Sequence, residues 1–253
     1  MRTRNYIYAT IGWATVIGIC LFDGCTQVAS GQTINAAYVK QLYAKYSTHK
    51  SVFCNSCKVW INPYYKSIAD TAAHMPLVTY ELFHKGEKEN AVSRTGIYAA
   101  WHGANGIDNE SKAYTDANKA GKGEIAKGHV NCWIMNSFCA DAAILSDTYT
   151  YNAAMEMQGQ NVGTEINTEN SERKLVKAAD VEQYGGCFGS QGVIDGETIP
   201  AYYWKIVICN GVTTCYWMPN LQTETQMVTA KRVVTLAQLV SNLGFNPLTV
   251  KWQ

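Results

Sequence analysis

An α+β fold is predicted by three features of the sequence. Residues 77–83, Leu-Val-Thr-Tyr-Glu-Leu-Phe, form a β-branched and aromatic run of strand character just after Pro76. Residues 202–208 form a second such run, and residues 213–218 return on it across Asn210-Gly211, a hairpin signal that sets antiparallel pairing. Helix formers dominate residues 161–179 and again residues 234–243, where Gly244 supplies a stop. Hydrophobic residues make up 47% of the 253, enough to bury a sizeable core in one large domain.

Taken in order, the chain first presents a separate segment, residues 1–31. Arg2 and Arg4 precede an apolar run from Tyr6 to Phe22, and small residues follow around Val28-Ala29-Ser30. This is the pattern of a signal peptide cleaved near Ser30 or Gly31, which predicts a secreted protein with residues 32–253 as a single domain and no stable membrane association. The alternatives are an uncleaved membrane anchor, since the run approaches spanning length, and, more weakly, lipid modification at Cys25.

Removing residues 1–31 takes away two Arg and one Asp, so Lys+Arg falls from 21 to 19 and Asp+Glu from 20 to 19. A neutral domain gains little from counterion release, which argues against a stable nucleic-acid coat but leaves room for an enzyme with a local basic groove. Cysteine usage agrees with an oxidising compartment: Cys54, Cys57, Cys132, Cys139, Cys187, Cys209 and Cys215 lie beyond residue 31. Cys209 and Cys215 bracket the Asn210-Gly211 turn and are expected to pair across it. Cys54 and Cys57 could be half of a zinc or redox motif, but with no second such pair the structural disulfide is favoured. Seven is odd, so one thiol is unpaired or bonds outside the domain.

Residues 34–46 have helical spacing through Val39, Leu42, Tyr43 and Tyr46, and residues 64–66 begin a short extended segment. After the strand at 77–83 come a polar loop and then Val92-Ser93-Arg94. Residues 103–123, rich in Gly, Asn, Asp, Ser and Lys, read as a long loop delivering the chain to Ile125-Ala126-Lys127-Gly128-His129. Residues 141–154 read as a turn and an extended run ending at Asn152, and residues 155–159 as a connection. Gly185-Gly186 is read as the end of the helix at 161–179, and residues 192–196 as a turn.

Within this frame, Gly128-His129, Asn152, Asn161, Glu169 and Arg173 stand at spacings that carry more weight than any one of them. Asn152 precedes Asn161 by nine residues, Asn161 precedes Glu169 by eight, and Glu169 precedes Arg173 by four. The set resembles the DNA/RNA non-specific endonucleases of the ββα-metal class, endonuclease G among them. A second block resembles the closing half of that family: Ile199-Pro200, Tyr203-Trp204-Lys205-Ile206-Val207, a hairpin to Tyr216-Trp217-Met218-Pro219-Asn220, and a helix to Leu243-Gly244-Phe245. The resemblance covers residues 76–247. It implies a ββα-metal fold, with a central antiparallel sheet flanked by helices and a catalytic strand-loop-helix.

The same resemblance implies roles. His129 is the base that takes the proton of the attacking water, and Asn161 holds the cation, Mg2+ with Mn2+ or Ca2+ as alternatives. Glu169 orders water on the metal, and Asn152 supports the His and the active-site backbone. Arg94 and Arg173 clamp phosphate, with Lys127 as a further substrate contact and DNA and RNA as substrates. The chemistry suits those residue types: a near-neutral imidazole suits proton transfer, and Mg2+ keeps its waters and accepts few protein ligands. Taken singly, each has a plainer reading, with His129 as a packing residue, Asn161 as a helix cap and Glu169 with Arg173 as a solvated pair.

The chain departs from the family beside the chemistry. An acid and Arg commonly precede Gly-His, where this chain has Ala126 and Lys127, and Lys lacks bidentate phosphate recognition. Pro-Gln becomes Met155-Glu156, which brings a negative charge toward the phosphate position unless it points away. The Trp expected after Gly163 is absent, with Thr164-Glu165-Ile166 instead. Three readings follow: a secreted metal-dependent nuclease, a catalytically weakened nucleic-acid-binding descendant, and a disulfide-rich extracellular structural protein.

Overall fold

The computed structural model describes residues 34–87, 89, 91–93, 101–103, 111–119 and 125–253. The signal segment and Arg94 lie outside the described residues. Helix α1 (Ala36–Tyr43) starts at Asn35, whose side chain accepts from the Tyr38 amide, and it buries the predicted face of Val39, Leu42 and Tyr43. Strands β1 (Thr48–Lys50), β2 (Cys57–Ile61), β3 (Tyr65–Asp70) and β4 (Met75–Phe83) follow, each antiparallel to the one before. A Cys54–Cys57 disulfide closes the loop into β2, as expected.

Helix α2 (Ser111–Lys119) precedes a short ribbon. Its strand β5 (Ile125–His129) runs into α3 (Trp133–Asn136) and α4 (Ala140–Ser146), and the chain returns as β6 (Ala153–Met157), antiparallel to β5 with His129 opposite Ala153. One unbroken helical path then takes the chain from α5 (Gln158–Gln160) through a π-helical turn (Asn161–Glu165) into α6 (Ile166–Val176). Strand β7 (Val181–Phe188) re-enters the large sheet, the β8 (Gly192–Ile194) and β9 (Glu197–Ile199) hairpin lies apart, and β10 (Tyr202–Cys209), β11 (Val212–Pro219) and β12 (Val233–Val234) complete it. Helix α7 (Leu236–Leu243) opens on a Thr235/Gln238 capping box and ends at left-handed Gly244.

The large sheet has eight strands in the order β1-β2-β3-β4-β7-β10-β11-β12. Alternation along β10 sorts its side chains by face. Trp204 and Ile206 pack with Leu239 and Leu243 of α7, while Tyr203 and Val207 join Val130, Val181 and Cys187 under the ribbon and α6. Lys205 shares that second face. It is 1% exposed, and its Nζ lies 2.5 Å from Glu165 and 3.8 Å from Glu172 on the helix above. Burial alone would lower the pKa of Lys205, but Glu165, Glu172 and Glu169 hold it well above the usual lysine value.

Several sequence expectations are corrected. Residues 103–123 are not all loop, because α2 buries Ala113, Tyr114 and Ala117 on one face. Residues 141–154 contain α4 before β6, and β6 extends to Met157 where a connection was expected. Gly185 and Gly186 do not end the helix, which stops at Val176; they lie within β7 and make room for close neighbours. A Cβ on Gly186 would sit 2.2 Å from the Leu77 carbonyl oxygen, and one on Gly185 would sit 2.6 Å from Val130 Cγ1. Cys209 and Cys215 are free thiols. Cys215 faces Ile206 across the hairpin, three positions from Cys209, so the two point to opposite faces of the sheet and pack in separate core clusters.

Burial, offset by Lys205 and reinforced by Glu165 and Glu169, pushes the Glu172 carboxyl up to about 8. A carboxyl raised in the folded state favours the fold when protonated, so its contribution is complete below its ordinary value and is lost as pH rises through about 8. Melting temperature should therefore fall between pH 5 and pH 9, and Glu172→Gln should flatten that fall. Equal slopes for the two proteins in a pH series of thermal melts would contradict this.

Candidate active site

The site is built where the ribbon meets the helix. Strand β5 ends on His129, and the chain is held there by three buried amide side chains. The Asn131 amide donates to Asn152 Oδ1 at 2.8 Å, while Asn152 Nδ2 donates to the carbonyls of Asn131 at 3.0 Å and Ser146 at 2.8 Å. From the large sheet, Gln183 Nε2 donates to the Val130 carbonyl and to Asn131 Oδ1, both at 2.9 Å, and the Thr79 hydroxyl donates to Asn131 Oδ1 at 3.0 Å. Asn152 thus holds the backbone on either side of the Asn131 peptide and the end of α4. Thr150, two residues earlier, is β-branched at φ 66, a strained conformation closed by its amide donating to the Ala153 carbonyl. At the far end of β6, Asn220 accepts from the Met157 amide at 2.7 Å and donates to the carbonyls of Met155 at 3.1 Å and Pro200 at 2.9 Å. The second sequence block thus fastens the ribbon to the sheet.

His129 Nε2 lies 2.8 Å from Asp147 Oδ1, with the two side chains 13% and 3% exposed. A carboxylate accepting from Nε2–H fixes the tautomer and leaves Nδ1 with the lone pair. Trp101 covers the imidazole with ring centroids 4.5 Å apart, and Lys127 Nζ stands 5.5 Å over Trp101 and 5.4 Å over Tyr149. Lys127 is therefore beside the His, stacked on aromatic faces.

A cavity of about 340 Å³ opens beside His129, lined by Trp101, Lys127, Cys132, Glu156, Asn161, Glu165 and Glu169 among others. Asn161, Glu165 and Glu169 reach it because residues four apart share a helix face. Asn161 is the first residue of the π-helical turn, not an ordinary cap, and π turns recur at functional sites. Gly163 lets this helix approach the chain at 224–225, since a Cβ there would sit 2.8 Å from the Glu224 carbonyl oxygen. Burial raises the Glu169 carboxyl to about 7, with Lys205 opposing, Glu165 adding, and Cys132 and Arg173 opposing.

Arg173 does not join the group. Its Nε and Nη2 donate to Glu89 Oε2 at 3.0 and 2.6 Å and its Nη1 to Asn170 at 2.9 Å, so its fork is engaged away from the cavity. Glu156 points inward rather than away: it is 1% exposed and sits beside Gly128. Sequence reasoning missed Asp147, Trp101, Glu165 and Lys205. Glu165 carried a signal, because it bisects the Asn161-to-Glu169 interval at four residues each way. Asp147 and Trp101 carried none, since the fold alone brings them to His129.

Taken together, a tautomer-fixed His, an amide oxygen and buried carboxylates facing one cavity suit proton transfer beside a hard cation. The family model for DNA/RNA non-specific endonucleases matches residues 44–249. Comparison with curated proteins finds no match. Among solved structures the chain is similar to EndoG from an EndoG/EndoGI complex described as showing the mechanism of EndoG inhibition. Identity is 16% and the TM-score 0.62, over 74% of this chain and 83% of that one. That likeness gives the fold, ββα-metal, in which β5 and β6 are followed by the π/α6 helix. With most of its length matched, the chain belongs to the DNA/RNA non-specific endonuclease family.

Proposed function

We propose that this chain is a secreted, Mg2+-dependent endonuclease that hydrolyses phosphodiester bonds in DNA and RNA without strong sequence preference. Residues 32–253 act as the single catalytic domain once residues 1–31 are removed. The observation that carries this reading is His129, held from behind by Asp147, standing on the same cavity as Asn161 and Glu169.

The cavity fits a hard divalent ion. Its walls offer the oxygens of Asn161, Glu156, Glu165 and Glu169, and the carboxylates among them outnumber the buried ammonium of Lys205. Asn161 would hold the ion, with Mn2+ or Ca2+ as alternatives to Mg2+. When bound, the ion supplies Lewis-acid stabilisation of charge on the phosphate and on the departing oxygen. His129 Nδ1 takes the proton of the attacking water, and Asp147 holds the resulting imidazolium in place. Glu169, titrating near neutrality, orders water and holds or returns a proton at the cavity wall. Lys127 supplies positive charge beside the His, held by Trp101 and Tyr149 rather than as a bidentate fork. Arg94 is the remaining phosphate clamp.

The second reading, a weakened nucleic-acid-binding descendant, is favoured by the capture of Arg173 by Glu89. Nucleic-acid binding in EDTA that magnesium leaves unchanged, without cleavage, would select it.

Plasmid DNA and total RNA incubated with purified protein and Mg2+ should be degraded, and His129→Ala should abolish this. Intact nucleic acid in both, or equal cleavage by both, removes the nuclease reading. In the same assay Asp147→Asn should lower kcat by about 10²-fold or more, the scale of lost general-base function, with an unchanged circular dichroism spectrum. Wild-type turnover in that variant would leave Asp147 without a positioning role.

A further inference from the structure

Among the three carboxyl groups on the cavity wall, Glu156 is the one that makes neither an ion pair nor a hydrogen bond with any described residue, although Lys205 acts on it at longer range. Glu165 is ion-paired to Lys205 at 2.5 Å, and Glu169 accepts from the Cys132 thiol with Lys205 acting on it across the wall. Glu156 is 1% exposed, and neither of its oxygens has a hydrogen-bond partner among the described residues. Lys205 is already shared by Glu165 and Glu172. A carboxyl taken out of water with no partner either stays neutral or ionises against something of opposite charge that meets it.

Its placement says what that partner is. Glu156 stands on β6 opposite Ala126, and its carboxylate lies over Gly128, where a Cβ would come within 2.5 Å of Glu156 Oε2. Gly128 has no side chain and Ala126 only a methyl, which leaves the carboxylate room against the strand that ends on His129. Asn161, Glu165 and Glu169 line the same cavity. The soft donor on that wall, Cys132, is kept protonated, because burial, with Glu169 adding, pushes its thiol up. Among the described residues no group of three or more His, Cys, Asp or Glu side chains is arranged to hold a metal ion by itself. The donor set is an amide oxygen and a carboxylate with water free to complete the shell, which is the chemistry of a hard divalent ion.

We propose that Glu156 is a direct ligand, together with Asn161, of the divalent cation in this cavity. The inference rests on the metal-dependent reading of the site and adds a second protein ligand on the strand opposite the catalytic one. It turns the departure at position 156 from a charge opposed to phosphate into the charge that holds the cation.

The test reads binding of the metal alone. Mn2+ is titrated calorimetrically into nucleic-acid-free wild type, Glu156→Gln, Glu156→Asp and Asn161→Ala, with thermal melts alongside. Loss of an outer hydrogen-bond partner typically weakens a metal site 10–100-fold, so loss of a direct carboxylate should weaken it by about tenfold or more. Wild type should bind one Mn2+ and be stabilised by it. Glu156→Gln should lose at least that affinity and most of the Mn2+-induced rise in Tm while melting no earlier than wild type without metal. Glu156→Asp keeps the charge, should retain part of the affinity, and carries the test if the Gln variant does not fold. Wild-type affinity in Glu156→Gln, with binding lost in Asn161→Ala, overturns this inference and leaves the metal site standing. No Mn2+ binding by wild type overturns both.

Discussion

The buried ammonium of Lys205 is the constraint on which the site depends. It rises from the middle of β10 on the face turned toward the helix and meets Glu165 and Glu172 at 2.5 and 3.8 Å. One charge on the sheet thereby fixes the height and rotation of the helix that carries Asn161 and Glu169. A buried pair of this kind adds little net stability, but removing one partner is costly, about 3–5 kcal/mol, because the other is left uncompensated. Its effect is therefore to specify which helix face meets the sheet. Burial raises the Glu169 and Glu156 carboxyls, and the same ammonium works against that rise in both.

Around that pair the ribbon is fixed by neutral hydrogen bonds. Asn152 and Gln183 hold the turn after His129, and Asn220 holds the end of β6. Each of these amides satisfies backbone groups that would otherwise be buried unpaired, so losing one costs more than the bond itself. Glycines at 128, 159, 163, 185 and 186 let backbone or side chains approach where a Cβ would clash. The result is a rigid cradle in which His129, with its tautomer set by Asp147, faces a cavity walled by carboxylates.

Much of this was legible in the sequence because it obeys local periods. The strand at β4, the β10–β11 hairpin, the C-terminal helix with its Gly244 stop and the face shared by Asn161 and Glu169 all follow from repeats of two or four residues. What was not legible depends on distant neighbours. Gly185 and Gly186 read as punctuation because nothing local shows that Val130 and Leu77 press on them. Cys209 and Cys215 read as a pair because nearness in sequence says nothing of which face a strand residue takes. Arg173 has the right helical position for the cavity, yet Glu89 captures its guanidinium. Asp147 lies eighteen residues past His129 on no shared element, and only the α3–α4 excursion brings it back.

The proposed phosphodiester hydrolysis requires that this one cavity bind a divalent cation beside His129. Anomalous diffraction at the manganese edge, from crystals grown with Mn2+ and a short DNA duplex, tests it most directly. A single strong peak is expected in the cavity, within ligand distance of Asn161 Oδ1, with a phosphate oxygen against it and His129 facing that phosphorus. A cavity without a peak, or a peak elsewhere with the duplex away from His129, would contradict it.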